Sequence, residues 1–97
     1  MKIMILTEGG ANIGLGHVVR CIALCQAFEK CNLIPEIIIN GSGIELDSLK
    51  KRKFKYLNWL EDRKKIFEII RGYDIVIIDS FIADEDFYLS ISELVKT

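Results

Sequence analysis

The residues with chemistry to offer crowd into one short stretch, TEGGANIGLGHVVRC, from Thr7 to Cys21. It holds the chain's single histidine, His17, an arginine three positions later, Arg20, and a Gly-x-Gly pair, Gly14 and Gly16. An imidazole is suited to moving protons at physiological pH. A guanidinium presents a fork of donors that matches a phosphate or a carboxylate, and glycines let backbone N–H groups approach an anion where a helix begins. A histidine in the first turn of that helix sits in the positive end of the dipole, which opposes the imidazolium and favours the neutral ring that a general base requires. On the glycines alone a tight turn is the better explanation; His17, placed after an apolar strand and at the start of a helix, tips the reading toward a site.

The surrounding pattern supplies both elements. KIMILT (Lys2–Thr7) and DIVIID (Asp74–Asp79) are nearly unbroken apolar runs, as expected of parallel strands covered by helices on both faces. PEIIIN (Pro35–Asn40) opens on the chain's one proline, tolerated at a strand's first residue, and FKYLN (Phe54–Asn58) alternates like a half-exposed edge. From His17 to about Lys30, the residues Val18, Cys21, Ile22, Cys25 and Phe28 make one apolar helical stripe. A short helix is expected around Ile44–Arg52 and a final one around Asp84–Lys96. In NWLEDRKKIFEIIRG, Asn58 and Glu61 have capping-box spacing, and Gly72 is suited to a left-handed C-terminal turn. The order is βαβαβαβα. Right-handed crossovers then predict an α/β, Rossmann-like open parallel sheet of four strands in the order 3-2-1-4.

Ligands of such sheets bind beyond the carboxyl ends of the strands, where strand order reverses. The loop from Glu8 to Gly16 and the segment from Asp79 onward should therefore line one crevice. A fourth strand of this kind is normally flanked by a fifth, and an open apolar edge is a liability. Because the sequence stops at SELVKT, residues 1–97 are expected to be one domain cut short before its fifth strand; the alternative is a homodimer that covers the edge.

Composition narrows the function further. The chain is 51% hydrophobic with 13 basic and 14 acidic residues, which suits one globular domain and offers no basic face for nucleic acid. The basic run LKKRKFK reads as a solvated helix end. The N-terminus is too short in apolar residues for a signal sequence and nothing approaches the roughly 18 apolar residues of a membrane span, so a cytoplasmic protein without membrane contact is expected. Cys21, Cys25 and Cys31 lack a CxxC spacing or a second histidine and read as buried core thiols in a reducing compartment, with no metal and no cofactor predicted. A dinucleotide fingerprint counted from Gly14 would need glycine where Val19 stands and an acid where Asn40 ends the second strand. There is no Gly-Lys-Ser/Thr of a nucleoside-triphosphate loop either.

IGLGHVVRC, Ile13 to Cys21, resembles the G-x-G-H-x-x-R-C segment of the PseG/SpsG family, and VIIDSF, Val76 to Phe81, is similar to that family's segment after strand four. The family comprises nucleotide-sugar hydrolases and glycosyltransferase-like proteins of the two-domain GT-B fold. Its better-characterised members hydrolyse UDP-2,4-diacetamido-2,4,6-trideoxy-β-L-altrose in pseudaminic acid biosynthesis. The resemblance implies that His17 deprotonates a water that attacks the anomeric carbon with inversion while UDP leaves, without a metal. It further implies that Gly14, Gly16, Arg20, Asp79 and Phe81 lie on the substrate side, the UDP site being in a second domain. The family's strand-four segment usually continues Asp-x-Tyr where this chain has Phe81, and TEGGAN looks more like the SpsG branch. The resemblance thus implies the base-bearing part of a UDP-sugar hydrolase for surface polysaccharide biosynthesis. A glycosyltransferase acceptor domain or a non-catalytic half-domain are the other readings.

Overall fold

Four apolar runs become four parallel strands: β1 (Ile3–Gly10), β2 (Glu36–Ser42), β3 (Phe54–Tyr56) and β4 (Ile75–Asp79). Between them stand α1 (Gly16–Glu29), α2 (Asp47–Lys50) and α3 (Arg63–Ile70), with α4 (Glu85–Leu94) after β4. The sheet order in this computed structural model is β3-β2-β1-β4, the expected 3-2-1-4, with every pairing parallel. The structure describes residues 1–10 and 14–97.

The two-residue period of the strands sorts their side chains onto two cores. Met4 and Leu6 of β1, Ile38 of β2 and Val76 of β4 pack with Ile66, Ile70, Phe87 and Ile91 from α3 and α4. Ile5, Ile37 and Ile39 point the other way, onto Val18, Cys21, Ile22 and Cys25 of α1 and Leu49 of α2. Right-handed crossovers produce this division, because the chain winds outward from β1 to β3 over one face and returns to β4 over the other.

Several boundaries differ from the sequence reading, each for a packing reason. β1 runs on to Gly10 and β2 to Ser42, pairing Gly9 with Gly41 and Gly10 with Ser42, so the glycines that look like a loop are strand. A Cβ on Gly41 would fall 1.6 Å from the Gly9 carbonyl oxygen, an approach that only glycine permits. β3 ends at Tyr56, and α2 is a single turn instead of a helix from Ile44 to Arg52. α3 starts at Arg63, five residues past Asn58, the expected N-cap. Asn58 Oδ1 does accept the Glu61 N–H at 3.2 Å, but the turn it caps is spent on burying Trp59, whose indole N–H donates to the Thr7 carbonyl at 2.8 Å. Gly72 does not adopt the left-handed conformation; Asn32, after α1, does, with φ 62°. The last helix ends at Leu94, and Lys96 lies against the outer edge of β4, its carbonyl accepting the Val76 N–H at 2.9 Å. Cys21 and Cys25 are buried, whereas Cys31, beyond the last turn of α1, is exposed, so the expectation of three core thiols fails for that residue.

Candidate functional site

Strand alternation aims Asp79 at α1. Ile77 joins the α1-side core, and Asp79 lies two residues on, at the carboxyl end of β4, in register with Thr7 of β1. The Thr7 hydroxyl donates to the Asp79 carbonyl at 3.0 Å and fixes the strand end. His17 and Arg20 occupy one turn of α1, three residues apart and hence on neighbouring positions of the same face. Both converge on the Asp79 carboxylate. His17 Nδ1 is 2.6 Å from Oδ1, while Arg20 reaches Oδ2 through Nε at 2.7 Å and Oδ1 through Nη2 at 2.6 Å. The fork read from the sequence as a holder of phosphate or carboxylate is thus engaged by the protein's own carboxylate.

This bidentate pairing sets the protonation pattern. Hydrogen bonding from Arg20 holds the Asp79 carboxyl below its ordinary value against the opposing effect of burial, with the His17 contact adding to the lowering. The same bonds to Asp79 raise the Arg20 guanidinium. An ionised carboxylate only accepts, so the proton in the 2.6 Å contact belongs to His17 Nδ1. Nδ1 then has no lone pair for Arg20 Nη2, and their 3.0 Å separation is a close approach imposed by the shared acceptor. In a neutral ring the lone pair is then on Nε2. A carboxylate so placed can fix the tautomer of a neutral imidazole, an arrangement that suits a general base. The His17 side chain keeps 11% exposure, and the 89% exposed Phe81 meets the ring edge-on with centroids 4.9 Å apart.

The remaining members of the expected set are placed as follows. Gly14 has φ +89° and Gly16 begins α1; among the described residues a side-chain carbon on either would meet nothing within 4 Å. Leu15, at the helix N-cap, supplies no side-chain cap. A hollow of about 250 Å³ lies beside it, lined by Gly10, Leu15, Gly43, Ile44 and Glu45. The start of the expected motif at Ile13, and the stretch 11–13 of the expected Glu8–Gly16 loop, lie outside the described residues. Burial pushes the Cys21 thiol up to about 11, which makes it no nucleophile although its sulfur is 3.9 Å from Asp79 Oδ2. Among the described residues no three His, Cys, Asp or Glu side chains are grouped to hold a metal, and no helix is long and apolar enough to cross a membrane.

Three contributors were not legible as site residues. Thr7 looked like a strand end, Trp59 like a helix residue, and Glu8 like the first residue of a loop. The signal that could have singled out Glu8 is an acid placed directly after an apolar strand in a buried parallel sheet.

No family model matches the chain, and no solved structure matches it. The uncharacterized protein MJ1062 of Methanocaldococcus jannaschii is 33% identical over 99 residues, covering 99% of this chain and 20% of that protein. The chain therefore spans about a fifth of the length of this relative.

Proposed function

We propose that this chain is the base-bearing part of a nucleotide-sugar hydrolase, acting on the anomeric C–O bond of a UDP-linked amino sugar. The observation that carries the reading is the 2.6 Å His17 Nδ1 to Asp79 contact, made across 62 positions at the carboxyl ends of β1 and β4. It leaves Nε2 as the acceptor for a proton. In the proposed step Nε2 takes a proton from water, the water oxygen forms a bond to the anomeric carbon, and the bond from that carbon to the diphosphate oxygen breaks with inversion. UDP leaves with the electron pair. Asp79 holds the imidazolium during the step, and Arg20 holds Asp79 ionised.

That no described residue would crowd a side-chain carbon on Gly14 or Gly16 supports an anionic group at the start of α1, where the helix dipole favours it. The likeness of the Gly-Leu-Gly-His-Val-Val-Arg-Cys segment to the PseG/SpsG pattern supports the substrate class. A second lobe that grips the nucleotide belongs to the proposal, and the test is made on the protein carrying it. UDP release from UDP-linked N-acetylated amino sugars is measured for the parent and for His17→Asn. Turnover should fall by a factor on the order of 10²–10⁴ while nucleotide affinity stays nearly constant. Unchanged turnover rejects His17 as the base, and transfer of the sugar to an added acceptor in place of free sugar would identify a glycosyltransferase.

A further inference from the structure

Glu8 is a buried acid that the proposed mechanism leaves unused. It is 1% exposed, within a strand of apolar neighbours, and faces the α3 and α4 side of the sheet, opposite to Thr7 and Asp79. A carboxylate in such a place is costly unless donors satisfy it. Its donors come from the segment that follows β4, more than 70 residues away. The Ser80 hydroxyl bonds Oε1 at short range, and the Phe81 N–H donates to Oε2 at 3.2 Å. Ser80 Oγ in turn accepts from the N–H groups of Ile82 at 3.0 Å and Ala83 at 3.1 Å. With both of its lone pairs engaged, the hydroxyl hydrogen must go to Glu8. One carboxylate therefore organises the backbone from Ser80 to Ala83.

The Phe81 ring is almost fully exposed, so burial does not hold it; the fastening of its backbone decides where it sits. It sits edge-on against His17, at an interplanar angle of 82°. We infer that Glu8 is a positioning residue for His17: by fastening Ser80 and the Phe81 N–H it seats the Phe81 ring against the imidazole, which Asp79 holds from the Nδ1 side. The role demands two acceptors. A glutamine has one carbonyl oxygen and one NH2, and either orientation sets its NH2 against the Phe81 N–H or against a hydroxyl whose lone pairs are taken. The catalytic consequence rests on the general-base reading of His17, whereas the mechanical link does not.

Because His17 is the chain's one histidine, its imidazole resonances can be followed without ambiguity. Ring-proton shifts of His17 are compared in the parent, Phe81→Leu, Glu8→Gln and Ser80→Ala. The expected result is that Phe81→Leu moves them by removing the aromatic ring current, and that Glu8→Gln and Ser80→Ala move them in the same direction. The Nδ1-protonated tautomer should persist in all three. Combining Glu8→Gln with Phe81→Leu should add little to Phe81→Leu alone. His17 shifts that stay at the parent values in Glu8→Gln, or in Ser80→Ala should Glu8→Gln fail to fold, overturn the inference, as does a Phe81→Leu variant without effect. In the UDP-release assay, Glu8→Gln should lower kcat by roughly 10- to 100-fold with little change in KM. If His17→Asn keeps full turnover, the base reading falls while the resonance shifts still decide the link from Glu8.

Discussion

The two ends of the sheet use the same kinds of polar pairs in different settings. At the amino ends of the strands, the Lys2 backbone N–H donates to Asp74 at 2.7 Å, and the Tyr73 hydroxyl donates to Glu36 at 2.5 Å with the Lys2 ammonium 4.6 Å from the ring centroid. Burial first, and then the Glu36 bond, push the Tyr73 phenol up to about 12. Lys2 and Asp74 are nevertheless exposed, so water can replace much of what they exchange. At the carboxyl ends, Thr7, Glu8 and His17 are themselves buried, so a polar atom lost from them costs more than one lost from an exposed pair. An acid and a histidine are thus buried at one end of the sheet only, the end that carries the proposed site.

Trp59→Ala should break the contrast most strongly. It removes a side chain of 0% exposure and the indole N–H that donates to the Thr7 carbonyl, for a loss of about 3–5 kcal/mol in chemical unfolding. A loss below about 1 kcal/mol would mean that the carboxyl end is no more tightly built than the amino end. Asp79→Asn comes next. Because the folded-state carboxyl of Asp79 lies below its ordinary value, its contribution is complete above the unfolded-state value, near 3.9, and is lost as pH falls through the folded one. The stability gap between parent and variant, followed by thermal melting, should therefore be widest above about pH 5 and close as pH is lowered toward 2. A gap independent of pH would assign the effect to shape and not to charge. Glu36→Gln is the smallest: the Tyr73 hydroxyl keeps an acceptor, and the change in stability should stay within about 0.5 kcal/mol. A Glu36→Gln loss as large as that of Asp79→Asn would erase the distinction.

The sheet order was legible because long apolar runs and short connections leave few ways to wind a right-handed α/β fold. Within the site, His17 and Arg20 announced themselves by position, but their shared partner did not. Asp79 is 62 residues from His17 in sequence, and only the parallel register of β1 with β4 brings the two together. Glu8 was hidden for a local reason: Gly9 and Gly10 after it look like a turn, whereas pairing with Gly41 and Ser42 keeps the strand going past it. Trp59 was misread because the Asn58 cap is real in its hydrogen bond yet serves a separate turn, drawn in by tertiary contact of the indole with Thr7. Local propensity locates elements; which of two adjacent turns becomes the helix is decided by what must be buried.

The unequal placement of the three thiols has a practical side. Cys21 and Cys25 are enclosed in the core on α1, both pushed up to about 11 by burial, while Cys31 stands in solvent just past the helix. A helix of 14 residues is about 20 Å long, so a thiol-directed dye would settle at the end of α1 remote from the imidazole. Within these 97 residues Cys31 thus offers one exposed attachment point for a fluorophore or a surface linker, at the end of α1 away from His17 and Asp79.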